Sequence, residues 1–143
     1  MTPRKSERLF PPGYASELLR IAEGDLATAQ FLLNGFDLDI RQENLFYMAQ
    51  QAIEKGLKAA LCHAGKPVPL VHEIGALVAK LPDEVQPPFG YELGRLNEFA
   101  ASRRYEEGRV SLTKEEAEDV LATARAVLDW AHDFIGGARV AGP

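Results

Sequence analysis

The chain has a single cysteine, Cys62, so no internal disulfide can form and no cage of several thiolates can hold a metal. It also lacks any apolar run of membrane-spanning length, and its opening stretch, MTPRKSERLFPPGYASELLR, never reaches the apolar core a secretory signal needs. Both features predict a soluble cytoplasmic protein in a reducing compartment. Threonine is scarce and no run of five or more residues alternates apolar with polar, so a sheet is unsupported. There is no GxGxxG, no Walker-type lysine loop, no HExxH and no zinc or calcium ligand spacing, and no metal or cofactor is implied. Positive charge is in deficit, with 16 Lys+Arg against 21 Asp+Glu. The resulting net charge of −5 excludes a general attraction for polyphosphates, and any nucleic-acid contact must come from a local patch.

What is present is enough for one self-sufficient core. At 143 residues, 46% hydrophobic and 26% charged, the chain matches a single globular domain. Residues 1–13 carry Pro3, Pro11, Pro12 and Gly13 and read as a flexible arm, residues 14–135 as one domain, and residues 136–143 as a flexible tail. Leu18, Ala22, Leu26, Ala29 and Leu33 recur at helical spacing and predict a helix over 14–34, ended by Asn34-Gly35. A second helix is predicted over 41–64, its broad apolar stripe rich in small residues (Ala49, Ala52, Gly56, Ala60) that would let a neighbour approach closely. On its other side Gln51, Lys55, Lys58 and Cys62 follow at steps of four, three and four and project together.

A short helix is expected over 71–81, stopped by Pro82, and a fourth from about Tyr91 to Arg104 after the proline-rich loop 82–90. Thr113 with Glu116 three residues on is a capping box, which starts a last helix that keeps its apolar period to Phe134 and ends at Gly136-Gly137. The expected class is all-α, an up-and-down bundle of four long helices and one short one.

The segment FYMAQQAIEKGLKAAL (46–61) resembles the second helix of the HEPN family, small prokaryotic helical bundles, at Gln50, Gln51, Ala52, Glu54, Lys55, Leu57, Lys58 and Ala59. Asp25-Leu26, Val71-His72-Glu73-Ile74 and Arg104-Tyr105 resemble three further family elements, in order and over about 15–135. The resemblance implies a bundle that dimerises and that is often partnered by a minimal nucleotidyltransferase, in toxin–antitoxin or related nucleotide-binding pairs. It also implies, for many members, a metal-independent ribonuclease built on an Arg followed at helical spacing by a His. Here the matching pair is Arg125 and His132, with Ala126 rather than a polar residue after the Arg, and Met48 stands where relatives frequently have His.

Read as chemistry, Lys55, Lys58 and Arg104 are candidate phosphate contacts in an otherwise acidic chain. Tyr105 and Gln51 would orient the ligand and His72 would support the site. The same residues have a plainer reading: Gln51, Lys55 and Lys58 as a solvated helix face, with Glu54 and Lys58 an ordinary i,i+4 pair. Arg103 and Arg109, near the fourth helix, are exposed cations that suit a helix C-terminus. The expected function is a nucleotide-binding or nucleotidyltransferase-associated subunit. The alternatives are a ribonuclease toxin in which Arg125 stabilises the phosphate and His132 moves a proton, and a structural dimerisation bundle. Spatial convergence of Lys55, Lys58 and Arg104 is what would separate them.

Overall fold

The computed structural model describes residues 7–99, 102 and 112–136. Helix α1 spans Tyr14–Asn34 and α2 spans Gln42–His63, within a residue of the spans expected from periodicity. The loop between them folds α2 back along α1, so that Lys55 in the second half of α2 meets Asp25 and Cys62 near its end meets Pro11. The last long helix, here α4, spans Lys114–Ile135 and also runs against α1, with Lys114 beside Asp37 at one end and His132 beside Glu23 towards the other. The three long helices pack mutually, and α2, with twelve buried residues, is the most enclosed of them.

The start of α4 is fixed locally, as expected. The Thr113 side chain accepts from the Glu116 amide at 3.1 Å, and Glu116 Oε1 accepts from the Thr113 amide at 2.9 Å. Two donors that helix geometry leaves without partners are thereby satisfied. The small-residue stripe of α2 does what its composition suggests. Gly56 faces Leu128 and Val127 of α4 so closely that an added Cβ would lie 2.7 Å from Leu128 Cδ2.

Helix α3 covers only Ile74–Lys80, shorter at its start than the expected 71–81. Residues 72 and 73 are drawn out of helical geometry because Asn97 takes over the capping: its Oδ1 accepts from the Ile74 amide at 3.0 Å and its Nδ2 donates to the His72 carbonyl at 3.4 Å. The expected fourth helix opens as a 3-10 turn at Gly90–Gly94 and becomes α-helical over 95–99. Its remaining span, with Arg103, Arg104, Tyr105 and Arg109, lies outside the described residues. Gly75 of α3 and Gly94 meet backbone to backbone, since a Cβ on Gly94 would sit 3.3 Å from Gly75 Cα. A side chain at Gly94 would press on the backbone of α3, whereas a Cβ at Gly75 would meet Gly94 Cα at an ordinary 3.7 Å.

One element corrects the expectation of no sheet. Strand β1 (Glu7–Arg8) pairs antiparallel with β2 (Val68–Pro69), Glu7 opposite Pro69 and Arg8 opposite Val68. Two residues are too few to show an alternating pattern, which is why nothing in the sequence signals them. The class remains all-α. Beyond the ladder, Phe10 stacks on Tyr14 with ring centroids 5.0 Å apart, and Arg8 lies over the Phe10 ring. Among the described residues no helix is long and apolar enough to cross a membrane.

Candidate functional site

Two groups of charged side chains stand out, one beside α2 and one between α1 and α4. In the first, Lys55 and Lys58 do not converge on one point. Lys55 Nζ lies 2.5 Å from Asp25 Oδ2, while Lys58 Nζ lies 3.9 Å from Glu54 Oε2. Glu54 is the only charged residue among the described ones that is buried, and the exposed ring of His72 reaches the same oxygen, Nδ1 to Oε2, at 3.1 Å. A buried carboxylate needs such partners, because its desolvation is repaid only by charge and hydrogen bonding.

The cations beside α2 are thus each engaged by a carboxylate of the same chain. Gln51 is half-buried one turn before Lys55, and Cys62, last of the four aligned positions, is covered by the residues before α1. Its Sγ donates to the Pro11 carbonyl at 3.2 Å. Burial pushes this thiol's pKa up, against a smaller opposing effect of the Ala15 backbone. Arg104 and Tyr105 lie outside the described residues, so their place relative to Lys55 and Lys58 is not among the structural findings.

The second group assembles the Arg125 and His132 that the sequence places on one stripe of the last helix. Both reach across to Glu23 of α1. Arg125 grips it through two parallel bonds, NH1 to Oε1 at 3.0 Å and NH2 to Oε2 at 2.5 Å. His132 Nε2 meets Oε2 as well, at 2.8 Å. A guanidinium and an imidazole therefore share one carboxylate oxygen. Arg125 Nε also donates to Asp129 Oδ1 at 3.1 Å, one turn further along α4. The Arg125 hydrogen bond holds the Glu23 carboxyl below its ordinary value, partly opposed by desolvation and helped by His132. The Glu23 contact in turn raises the Arg125 guanidinium further above its already high value.

Two grooves open on either side of this cluster. One, of about 490 Å³, runs between Leu26, Ala27 and Gln30 of α1 and Leu121 and Ala122 of α4, with Glu23 and Arg125 at its edge. The other, of about 360 Å³, is lined by Ser16, Leu19 and Arg20 of α1 and by His132, Ile135 and Gly136. The cluster is partly exposed, at 45% for the Arg125 side chain and about a third for Glu23 and His132.

Sequence reasoning anticipated Arg125 and His132 as a pair but not what joins them. Asp129 carried a usable signal, lying four residues after Arg125 on one helix. Glu23 carried none, since it stands 102 residues away from Arg125 and only the packing of α1 on α4 brings it close. The profile of the HEPN domain family matches residues 15–134, a span that includes α2, α3 and all but one residue of each of α1 and α4. Neither the curated proteins nor the solved structures compared with the chain give a match.

Proposed function

The chain belongs to the HEPN family, whose profile covers residues 15–134, and from that premise we propose that it is a nucleotide- or RNA-binding subunit taking phosphate at the α1–α4 face. The observation that carries the reading is that Arg125 NH2 and His132 Nε2 both lie within 2.8 Å of one oxygen, Glu23 Oε2. Two donors already aimed at a carboxylate oxygen have the spacing to receive an oxygen of phosphate, and guanidinium is the side chain best suited to grip it. The adjoining grooves offer room for the rest of a ligand. In this reading Lys55 ties α2 to α1 through Asp25, and Lys58 and His72 serve the buried Glu54 carboxylate.

The reading is tested by fluorescence anisotropy with a labelled single-stranded RNA and with labelled ATP. Arg125→Ala and His132→Ala each weaken binding by about tenfold or more, the loss expected for one charge-assisted hydrogen bond, whereas Lys55→Met leaves it unchanged. Unchanged affinity in Arg125→Ala would overturn the assignment. The wider role implied by the family, as a dimer partnered by a small nucleotidyltransferase in a toxin–antitoxin type of pair, is tested by co-purification of the tagged chain from its host.

A second reading, the metal-independent ribonuclease, is favoured by the same shared oxygen. Arg125 would stabilise charge building on the phosphate, while His132 would move a proton to or from the 2′-hydroxyl or the leaving oxygen. RNA cleavage in the presence of a chelator, abolished by His132→Ala, supports it; intact RNA after prolonged incubation at saturating protein refutes it.

A further inference from the structure

We propose that Glu23 is a built-in counter-ion that occupies the phosphate position, so that ligand phosphate binds by displacing its carboxylate from Arg125 and His132. The proposal rests on the phosphate-binding reading above and concerns how that site is regulated.

Stoichiometry of the donors is the first argument. Arg125 has five N–H groups, and its Nε, NH1 and NH2 atoms are all engaged, two of them by Glu23 and the third by Asp129. Nε2 of His132 is directed at Glu23 too. A phosphate cannot take the bidentate face of the guanidinium while the carboxylate holds it.

The second argument is charge. Across from the one permanent cation of the cluster, Arg125, stand two carboxylates, Glu23 of α1 and Asp129 of α4, so the closed cluster gives an incoming anion no net attraction. Displacing Glu23 leaves one guanidinium beside one carboxylate, Asp129 on Nε, and frees the NH1 and NH2 donors for an incoming anion.

The third is location. Glu23 lies in α1 between the two grooves, and its side chain is about a third exposed. A buried ion pair would be locked by desolvation, but one at this exposure exchanges partners with ions from solution. The carboxylate borders the groove beside Leu26 and Ala27, which gives it open space into which to swing. Glu23 is thus placed to set a threshold: only a ligand that brings phosphate together with further contacts in a groove competes successfully with a tethered carboxylate. Tethering gives that carboxylate a high effective concentration at the site, so a lone phosphate ion in solution competes poorly.

The test uses the full chain and two probes that separate the sources of phosphate: a labelled oligoribonucleotide without terminal phosphates, and ATP. Glu23→Gln keeps the size of the side chain and removes its charge. It is expected to tighten binding of at least one probe by tenfold or more, with Arg125→Ala abolishing the gain in the double variant. The probe that gains identifies whether internal diesters or a terminal polyphosphate fits the seat. Unchanged or weaker binding of both probes by a folded Glu23→Gln, while Arg125→Ala still reduces wild-type binding, overturns the counter-ion role and leaves the phosphate site standing. Indifference of both probes to Arg125→Ala overturns the site itself.

Should Glu23→Gln fail to fold, the wild-type protein decides. With ¹³C-labelled glutamate, the Glu23 carboxylate resonance is expected to move as the probe saturates, and a resonance that stays fixed at saturation refutes displacement.

Discussion

Gly24 in α1 and Gly56 in α2 allow the same substitution, glycine to alanine, to be read in two surroundings. Replacing a helical glycine by alanine gains about 0.8–1 kcal/mol from backbone propensity wherever the new methyl group has room. At Gly24 it has room, because beyond the local helix backbone nothing lies within 4 Å of the added Cβ. At Gly56 the Cβ would lie 2.7 Å from Leu128 Cδ2 and 3.6 Å from Val127 Cγ1. The first distance is about 1 Å inside ordinary carbon–carbon contact, and Leu128 and Val127 are both fully buried, so Leu128 has little space to yield. Overpacking of this kind costs about 1–3 kcal/mol, which cancels the propensity gain and leaves a net loss of up to about 2 kcal/mol.

The expected outcome is that Gly24→Ala raises the urea midpoint and Gly56→Ala lowers it, with similar m-values and about 2 kcal/mol between the two variants. In a thermal melt the same gap is roughly 6 °C for a domain of this size. Leu128→Ala supplies the internal check: alone it destabilises by about 2–5 kcal/mol, but it vacates the space the methyl group needs. The double variant should therefore be more stable than the sum of the singles by about 1–2 kcal/mol. Equal stabilisation by both glycine substitutions would refute the close approach of α2 to α4.

Thr113→Ala removes a hydrogen bond of the capping box and is expected to lower stability by about 1 kcal/mol, measured by urea denaturation, while Thr113→Asp retains most of it. Lys58→Met combined with His72→Ala leaves the buried Glu54 carboxylate without the ammonium and the imidazole that face it, for a loss of about 3 kcal/mol at neutral pH; adding Glu54→Gln should recover most of that loss, and no recovery would argue against a charge effect. Glu23 titrates below its ordinary value near 4.5 because of Arg125, so the stability it contributes is complete above that value and disappears as pH falls through the lowered one. Urea melts of the wild type and Glu23→Gln should accordingly differ by a constant amount above about pH 5 and converge in more acidic buffer. A gap that does not narrow as the pH is taken down would mean the contact does not depend on the carboxylate charge.

The long helices were legible because each carries its own apolar period and its own stop: Asn34-Gly35 for α1, the capping box and Gly136 for α4. The Gly56 contact was legible as a kind of contact, from the small-residue stripe, though not as a meeting with Leu128. What stayed hidden depends on residues remote in sequence. Asn97 caps α3 from 23 positions away and so shortens it, and Pro69 pairs with Glu7 through backbone atoms that no side-chain pattern encodes. The candidate site divides along the same line. Lys58 with Glu54, and Arg125 with Asp129, follow from helical spacing, whereas the Asp25 that meets Lys55 and the Glu23 that meets Arg125 belong to another helix. Spacing shows which side chains leave a helix together, and packing decides which charge awaits them.

The hydrogen bond from Cys62 to Pro11 makes the lone thiol a clock for the segment that covers it. Cys62 is 1% exposed, and its sulfur rests against the Pro11 carbonyl, so a thiol reagent reaches it only after residues 7–12 lift from the end of α2 or the bundle itself opens. Modification in the absence of denaturant would then proceed at a rate set by that lifting and, once opening is limiting, independent of reagent concentration. Whatever docks on or beside the β1–β2 ladder would slow the reaction, and whatever displaces the segment would speed it. The chain thus carries one chemically addressable position, and its reactivity counts how often the entry to the bundle comes undone.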